Sequence, residues 1–386
     1  MKIAFDSQLF LKGNKTGIAW CADNVIREMA KLPEYECQCD FFALGHDEKQ
    51  IDNVRVYEKL GVKLNPCKWF NNVIYKLIWP IIPIPYSWFF GKDRDVTIFF
   101  NFIVPPGVKG KKVAVVHDMA YKACPETVNA KTRKWLELTL KKSCDRADLI
   151  VTVSEFSKKE IIKYLGVPEE KIIVMPNGVD LDLYHPNYPE EEVSRCKEKY
   201  HIGREYFLYL GTLEPRKNLV NLVKAYGLLK DELKENAPKL VLAGGKGWYY
   251  ESIFETVEEL GLKQDVIFTG YVPEEDVPLL MNGAKAFVFP SLYEGFGMPP
   301  LEAMACGTPV IVSQAEALKE IVGQAGEIVD VFNIDQFEKI LFRFSKDIDL
   351  RNKLKKKGLE HTERYAWNKV VCRLETEIKA RYEDRV

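Results

Sequence analysis

Two successive runs of alternating strand-like and helix-like segments constrain the fold of this sequence more than any other feature. In the first run, short apolar segments such as 96–100 and 113–118 alternate with longer segments of helical periodicity such as 131–145. Near-continuous apolar strands separated by helices are typical of a parallel sheet that is covered by helices on both faces. The first half of the chain is therefore predicted to form an α/β domain.

The alternation stops in a charged, proline-containing stretch at 179–204 and starts again with the apolar segments 206–211 and 239–245. The sequence thus predicts two Rossmann-like domains in tandem, at 1–190 and 200–366. Such sheets bind ligands beyond the carboxyl ends of their strands. We therefore expect the two domains to face each other across a cleft.

The composition excludes several classes of protein. The 386 residues are 47% hydrophobic and 29% charged, and the formal net charge of −1 gives no overall basic field, so no nucleic-acid partner is expected. Nine cysteines without a C-x-x-C pair indicate reduced thiols rather than a zinc site or a disulfide framework. Asp6 and Gln8 interrupt the first apolar segment, which indicates a strand rather than a signal peptide. A cytoplasmic protein is expected.

The segment 73–91, VIYKLIWPIIPIPYSWFFG, is apolar and aromatic, and lysines lie within and beside it. Its three prolines and Lys76 argue against a membrane-spanning helix. Two interpretations stay open. The segment is either a core helix followed by a loop, or a surface that makes a peripheral contact with the inner face of the cell membrane.

The stretch SLYEGFGMPPLEAMACGTPV, residues 291–310, follows a predicted strand and enters a predicted helix through a glycine-rich turn. Backbone N–H groups and the positive dipole end at a helix N-terminus suit an anion. Glu294 and Glu302 flank this turn, and one carboxylate can accept hydrogen bonds from both hydroxyls of a vicinal diol. A nucleoside diphosphate sugar, with phosphates in the middle and sugars at both ends, satisfies both features.

Arg216 and Lys217 follow the predicted strand 206–211 and precede a predicted helix. A bidentate guanidinium beside a mobile ammonium suits phosphate oxygens, so we expect the diphosphate on these two side chains and on the amides of 295–297. On spacing alone, alternatives remain: solvated surface cations, a turn residue at Glu294 and a first-turn helix charge at Glu302.

Two residues of the first domain are weaker candidates. His117 ends a predicted strand, where it is either a structural residue or a donor to a sugar hydroxyl or backbone carbonyl. Gly17 precedes a predicted helix, where it either brings the backbone close to a phosphate or simply begins the helix.

Three D-x-D strings contain carboxylates of the kind that hold a divalent metal against a diphosphate, and they lie at 93–95, 180–182 and 347–349. One precedes a strand, one opens the boundary stretch and one lies in a charged helical region. These positions do not favour a metal site, so no metal or other cofactor is expected.

Several strings resemble the retaining GT-B glycosyltransferases of family 4. The glutamates 294 and 302 are eight positions apart, which is similar to the E-x7-E signature of that family. Further similar strings are HD (117–118), TVSEFSKKEI (152–161), VMPNGVD (174–180), YLGTLEPRKN (209–218) and GYVPEED (270–276). Together they span most of the chain in the order that the family shows.

The resemblance implies a GT-B fold, in which two Rossmann-like domains face a central cleft. The acceptor is expected on the N-terminal domain and the nucleotide-sugar donor on the C-terminal domain. The resemblance also implies that 367–386 is the last helix of the family, which crosses back and completes the N-terminal domain.

The resemblance also assigns roles residue by residue. It implies that Arg216 and Lys217 bind the diphosphate and that Glu302 binds the ribose. Other donor-site residues implied near the base, the donor sugar and the phosphates are Tyr271, Val272, Glu294, Gly295, Phe296, Gly297 and Gly17. His117 would contact the transferred sugar, and it is the expected catalytic residue together with Glu294.

Two departures from the family pattern concern this site. Many relatives carry an arginine where Thr212 stands, so Arg216 is the nearest arginine that could bind the diphosphate here. Many also carry two glycines in the first loop, where this sequence offers Gly17 directly before the helix.

The strings LGTLEPRKN and HDMAYKACPE resemble those of mannosyltransferases that act in surface polysaccharide synthesis. The expected reaction is therefore the metal-independent transfer of a hexose, with retention, from GDP-mannose to a glycan or lipid-linked acceptor. The alternatives are a UDP- or dTDP-sugar donor, another GT-B activity such as an epimerase, and a non-catalytic sugar-binding scaffold.

Overall fold

The computed structural model describes residues 1–12, 17–203 and 205–382. The chain divides into two compact units. Unit 1 comprises Met1–Gly178 and Trp367–Val386, and unit 2 comprises Val179–Ala366.

Unit 1 is built on a sheet of seven strands. The strands are β1 (Lys2–Asp6), β2 (Glu36–Phe42), β3 (Lys63–Cys67), β4 (Val96–Phe99), β5 (Lys111–Val116), β6 (Leu149–Thr152) and β7 (Ile172–Val174). Their order in the sheet is β3-β2-β1-β4-β5-β6-β7, and all neighbouring pairs are parallel. The carboxyl ends of all seven strands therefore lie at one edge of the sheet.

Helices cover both faces of this sheet. They are α1 (Gly17–Ala30), α2 (Glu48–Arg55), α3 (Asn72–Ile78), α4 (Ser87–Phe90), α5 (Ala120–Ala123), α6 (Ala130–Arg146) and α7 (Glu155–Leu165). Successive residues of one strand enter opposite cores: Ile98 belongs to one apolar cluster and Phe99 to the other. All four residues of β4 are therefore buried, which explains why three of them are large and apolar.

Unit 2 repeats the architecture with six strands. They are β8 (Tyr206–Leu210), β9 (Lys239–Ala243), β10 (Val266–Gly270), β11 (Ala286–Phe289), β12 (Val310–Ser313) and β13 (Glu327–Val329). Their order is β10-β9-β8-β11-β12-β13, again with parallel neighbours only.

The helices of unit 2 are α8 (Glu190–Lys199), α9 (Leu219–Leu233), α10 (Glu251–Glu259), α11 (Val277–Gly283), α12 (Met298–Ala305), α13 (Glu316–Val322), α14 (Ile334–Lys346) and α15 (Ile348–Thr362). The last helix, α16 (Trp367–Tyr382), belongs to unit 1, where Val370, Leu374 and Ile378 enter the same core as Ile3 and Phe5.

The boundary between the units lies at Gly178–Val179, 12 residues before the predicted end of the first domain at 190. The residues that follow Gly178 belong to unit 2 because their backbone forms hydrogen bonds with residues of that unit. The Val179 N–H donates to Tyr365 O at 2.8 Å, and the Asn282 side chain donates to His185 O at 2.9 Å. Charge and proline content indicated a connecting stretch, but they did not show which unit holds it.

Two parallel sheets, each covered by helices, confirm the prediction of two Rossmann-like domains of α/β class. Two strands at one side of the first sheet, the edge strand β3 and its neighbour β2, were not predicted. Their sequences, ECQCDFF and KLNPC, mix polar residues into the apolar pattern, and the proline lies in the edge strand β3, where it is tolerated.

Candidate active site

The candidate site of unit 2 lies where the strand order reverses. The chain passes from β8 outward to β9 and β10 and then returns to β11 on the other side of β8. The loops that follow β8 and β11 therefore leave the same edge side by side, which is the point where doubly wound sheets bind ligands. Backbone joins them, since the Leu292 N–H donates to Arg216 O at 2.8 Å.

The side chains of these two loops converge on Glu294. The Lys217 ammonium donates to its Oε1, the Arg216 guanidinium lies 3.1 Å from its Oε2, and the Ser291 hydroxyl donates to Oε1 at 2.5 Å. Arg216 is fixed by further bonds to the Tyr293 carbonyl at 2.6 Å and to Glu214 at 2.8 Å. The structure thus brings together Arg216, Lys217 and Glu294, which the sequence analysis placed in one site.

This cluster holds a carboxylate in its charged form. Burial would raise the pKa of Glu294, but the charges of Lys217 and Arg216 outweigh burial and lower it to about 2. Lys217 is only 8% exposed, and its ammonium also lies 4.7 Å from the centre of the Phe289 ring. Two cations and two carboxylates, counting Glu214, make a preorganised polar site with little freedom to rearrange.

The glycine-rich turn leads directly into α12. Gly295, Phe296 and Gly297 are buried, and the Phe296 ring packs edge-on against Tyr365. Gly297 precedes the helix with a φ of 122°, where a Cβ would come within 2.6 Å of the Leu318 side chain. Glycine is therefore required at this position, and the first amides of α12 begin immediately after it.

Glu302 lies on α12 in a different electrostatic environment from Glu294. Burial, together with the smaller effect of the nearby Glu274, raises its pKa to about 7. The same two carboxylates act on the half-buried Tyr184, whose pKa is raised by burial and by Glu302. Among the described residues, the charge that acts on the half-buried Glu302 is thus a second carboxylate rather than a cation, which suits a group that accepts hydrogen bonds from ligand hydroxyls.

Tyr271 and Val272 follow β10 at the same edge of the sheet. Tyr271 is 72% exposed, whereas Val272 is buried. Gly270 precedes them with a φ of 69° and turns the chain at the end of the strand. An exposed aromatic ring on a fixed loop can stack on a planar base.

In unit 1, His117 follows β5 and is 9% exposed. Its Nε2 lies 2.8 Å from the carbonyl of Phe100, which can only accept, so Nε2 carries the proton and donates. Burial lowers the pKa of His117 and favours the neutral ring. The predicted hydrogen bond from His117 to a backbone carbonyl is therefore present. In the neutral ring Nδ1 carries no proton, so it can accept a hydrogen bond from a sugar hydroxyl but cannot donate one.

Gly17 is the first residue of α1 and is exposed. The other residues of the loop NKTG fall outside the residues that the structure describes. The predicted approach of Gly17 to a phosphate stays a prediction.

Two further residues belong to the strand ends but were not selected from the sequence. Asn218 follows Lys217, and its Nδ2 is buried without a hydrogen-bond partner in the described parts of the chain. Asp6 ends β1, beside the point where the strand order of unit 1 reverses. Burial raises the pKa of Asp6 to about 6, although Lys76 opposes that shift. The only sequence signal for Asn218 and Asp6 was that each lies at or after the carboxyl end of a predicted strand.

The D-x-D strings have local structural contacts. Asp93 and Asp95 bind the side chain and the backbone N–H of Lys2, and Asp180 accepts from the N–H of Asp182 at 3.0 Å. Asp347 caps α15. Within 1–12, 17–203 and 205–382, no group of three or more His, Cys, Asp or Glu side chains could hold a metal ion.

Comparison with known proteins identifies the family of the chain. The profile of "Glycosyltransferase Family 4" matches residues 16–183, and that of "Glycosyl transferases group 1" matches residues 192–361. The O-antigen chain mannosyltransferase B of Escherichia coli is 37% identical over 268 residues, which is 69% of each chain. The serotype-specific mannosyltransferase WbdA of Escherichia coli is 30% identical over 75% of this chain, which corresponds to only 35% of WbdA.

Solved structures show the same fold at lower identity. Anabaena HepE in complex with UDP and glucose is 18% identical, with a TM-score of 0.73 over 98% of this chain and 100% of HepE. The expected resemblance is therefore confirmed at the level of both sequence and fold. The chain belongs to glycosyltransferase family 4 and is a glycosyltransferase of the GT-B type.

Proposed function

We propose that this chain transfers mannose from GDP-mannose, with retention of configuration, to a glycan or lipid-linked acceptor in surface polysaccharide synthesis. The observation that carries the proposal is the 37% identity to an O-antigen chain mannosyltransferase, together with the Arg216, Lys217 and Glu294 cluster at the strand ends of unit 2. Seven of the nine cysteines are buried, which agrees with reduced thiols in the cytoplasm.

The proposed donor position follows the charges of unit 2. The diphosphate binds Arg216, Lys217 and the first amides of α12, since these are cations and helix N-terminal donors at one edge. The ribose hydroxyls donate to Glu302, and the base lies against Tyr271 and Val272. Glu294 accepts hydroxyls of the mannose while Lys217 and Arg216 keep it ionised.

In the proposed reaction, the bond between C1 of mannose and the phosphate oxygen breaks, and the acceptor oxygen bonds to C1 on the same face. The acceptor proton passes to an oxygen of the leaving phosphate, so that atoms and charge balance. Arg216 and Lys217 stabilise the negative charge that develops on GDP. Catalysis is then electrostatic and positional, with no covalent intermediate on the protein.

The acceptor side is proposed at the strand ends of unit 1. In the neutral ring of His117, Nδ1 can accept a hydrogen bond from a sugar hydroxyl, because the proton is on Nε2, which donates to the Phe100 carbonyl. Asp6 is the last residue of β1 in the same sheet, and its carboxylate can accept a hydrogen bond from a hydroxyl of the acceptor substrate.

We further propose that the transfer needs no metal, because Arg216 and Lys217 supply the positive charge that a divalent ion would otherwise supply to the diphosphate. The test is turnover after treatment with a chelator. Unchanged turnover supports the proposal, and turnover that disappears and returns with Mg²⁺ or Mn²⁺ contradicts it.

Retention can be tested without knowing the acceptor. Slow hydrolysis of GDP-α-mannose by the protein, followed by proton NMR before mutarotation, identifies the anomer that is released first. The proposal predicts α-mannose first, with the signal absent from the Glu294→Gln variant. Release of β-mannose first would contradict retention, and hydrolysis of UDP-glucose in preference to GDP-mannose would contradict the donor.

A further inference from the structure

Seven large apolar side chains are exposed within twenty residues of unit 1. Their exposed fractions range from 48 to 84%, and they are Trp69, Val73, Ile74, Leu77, Ile81, Ile82 and Trp88. We name this set the apolar surface. Soluble proteins rarely leave so many large apolar groups together in water without a partner.

The apolar surface rests on a well-packed scaffold. Tyr75 and Trp79 of the same segment are buried, and Tyr75 packs against Phe42 with ring centres 5.3 Å apart. Phe89 stacks beneath Trp69 at 5.1 Å. The exposed residues therefore alternate with residues that hold the segment on the sheet, so their exposure is a property of the folded unit.

The charged residues of the sequence segment that carries the apolar surface have one sign. From Lys59 to Lys92 the sequence contains five lysines and no aspartate, glutamate or arginine, although the whole chain has a formal net charge of −1. Lys68, Lys76 and Lys92 are exposed. Exposed tryptophans beside lysines, on an apolar face, are the combination that suits the boundary between lipid headgroups and acyl chains.

The segment is built to lie on a bilayer rather than to cross it. No helix within the described ranges is both long and apolar enough to cross a membrane. The helix α3 ends at Ile78, and Pro80, Pro83 and Pro85 follow it.

We propose that the apolar surface inserts into the headgroup region of a membrane that contains anionic phospholipid. The lysines attract the anionic headgroups, and the seven apolar side chains leave water. A protein partner fits less well, because the buried centre of a protein interface is usually depleted of lysine. Tyr75 contacts Phe42, the last residue of β2, so the apolar surface adjoins the strand-end edge where an acceptor would bind.

The test is co-sedimentation with vesicles in the absence of any nucleotide, so its outcome does not depend on the proposed donor. One set of vesicles contains phosphatidylcholine alone, and the other contains equal parts of phosphatidylcholine and phosphatidylglycerol. The protein should bind the anionic vesicles, and salt should weaken the binding. Ile81→Glu with Ile82→Glu should weaken binding at least about tenfold, and Lys68→Gln and Lys92→Gln about fivefold each.

Ile348→Glu is the matched control, because Ile348 in unit 2 is 60% exposed, as is Ile82. It should bind vesicles like the unchanged protein, and circular dichroism should show all variants folded. Equal binding of the Ile81→Glu, Ile82→Glu variant would overturn the proposal. So would a failure to bind anionic vesicles, or light scattering that shows a dimer of this chain which the same variant dissociates.

Discussion

Lys217 and Glu294 are 77 positions apart in sequence, yet their side chains form a hydrogen-bonded ion pair at the strand ends of unit 2. One follows β8 and the other follows β11, and these two strands are neighbours only because the chain reverses its direction of travel across the sheet. The pair therefore depends on the topology. It also places the cation proposed for the diphosphate directly against the carboxylate proposed for the sugar.

Lys217→Ala should weaken GDP binding about 10- to 100-fold, because one charge-assisted hydrogen bond to the diphosphate is lost. Calorimetric titration with GDP measures the change. Lys230→Ala is a suitable control, since Lys230 also forms an ion pair in unit 2, with Asp265 at 3.1 Å, but lies near the amino end of β10. GDP affinity that is unchanged in Lys217→Ala would show that this lysine does not bind the phosphates.

Glu294→Gln should lower the turnover number about 100-fold or more, because an ionised acceptor at the transferred sugar is replaced by a neutral one. GDP binding should be kept or strengthened, since Arg216 and Lys217 lose a competing negative charge. Steady-state kinetics together with GDP titration separates the two effects. A nearly normal rate would reduce Glu294 to a structural residue of the turn.

Glu302 makes stability depend on pH. Its pKa rises from 4.5 to about 7 on folding, so the folded state holds the proton more tightly and stability is lost as pH rises through this range. The loss is up to about 3 kcal/mol at about 1.4 kcal/mol per pKa unit. Glu302→Gln should therefore be more stable than the unchanged chain at pH 8 but not at pH 5, as urea unfolding would measure.

Glu275→Gln provides the control for Glu302, because Glu275 is an exposed carboxylate in the same unit. Its stability should follow that of the unchanged chain within about 0.5 kcal/mol at both pH values. Equal stability of Glu302→Gln and the unchanged chain at pH 8 would mean that the Glu302 carboxylate is not penalised by burial.

Arg94 and Asp40 form a buried ion pair in unit 1, with side-chain exposures of 2% and 0%. Arg94 also donates to Phe90 O, which ties α4 and the apolar surface to β2. Arg94→Met should destabilise the protein by about 3 to 5 kcal/mol, because Asp40 loses its buried partner. Arg55→Ala, which breaks only exposed pairs, should cost less than about 1 kcal/mol in the same thermal unfolding experiment.

The sequence predicted most strands of the two sheets and the loops that carry the candidate site. Nearly continuous apolar strands such as β4 and β11 were recognisable because both of their faces are buried. The ion pair of Lys217 with Glu294 was not predictable, because spacing indicates strand ends but not which loops touch. The environment of Glu302 was also not predictable, since spacing does not show that Glu274, which follows β10, acts on a carboxylate of α12.

The two interpretations of 73–91 were resolved in part. Tyr75, Trp79, Tyr86 and Phe90 belong to the core, as the first interpretation held. Other residues of the segment, such as Leu77, Ile81 and Trp88, are exposed, as the second required. Composition alone could not separate these alternatives, because a segment that is apolar on both sides has no amphipathic pattern to show which side faces the core.

The most direct test of the central claim is thermal unfolding with GDP, UDP, ADP and dTDP, each with and without its sugar conjugate, on the unchanged chain and on Lys217→Ala. A ligand that binds only the folded state at 100 times its dissociation constant adds about 2.7 kcal/mol of stability. We predict that GDP and GDP-mannose raise the melting temperature, that the other nucleotides do not, and that Lys217→Ala loses most of the shift. A selective shift with UDP or dTDP, or an equal shift in Lys217→Ala, would contradict the proposed donor and its binding site.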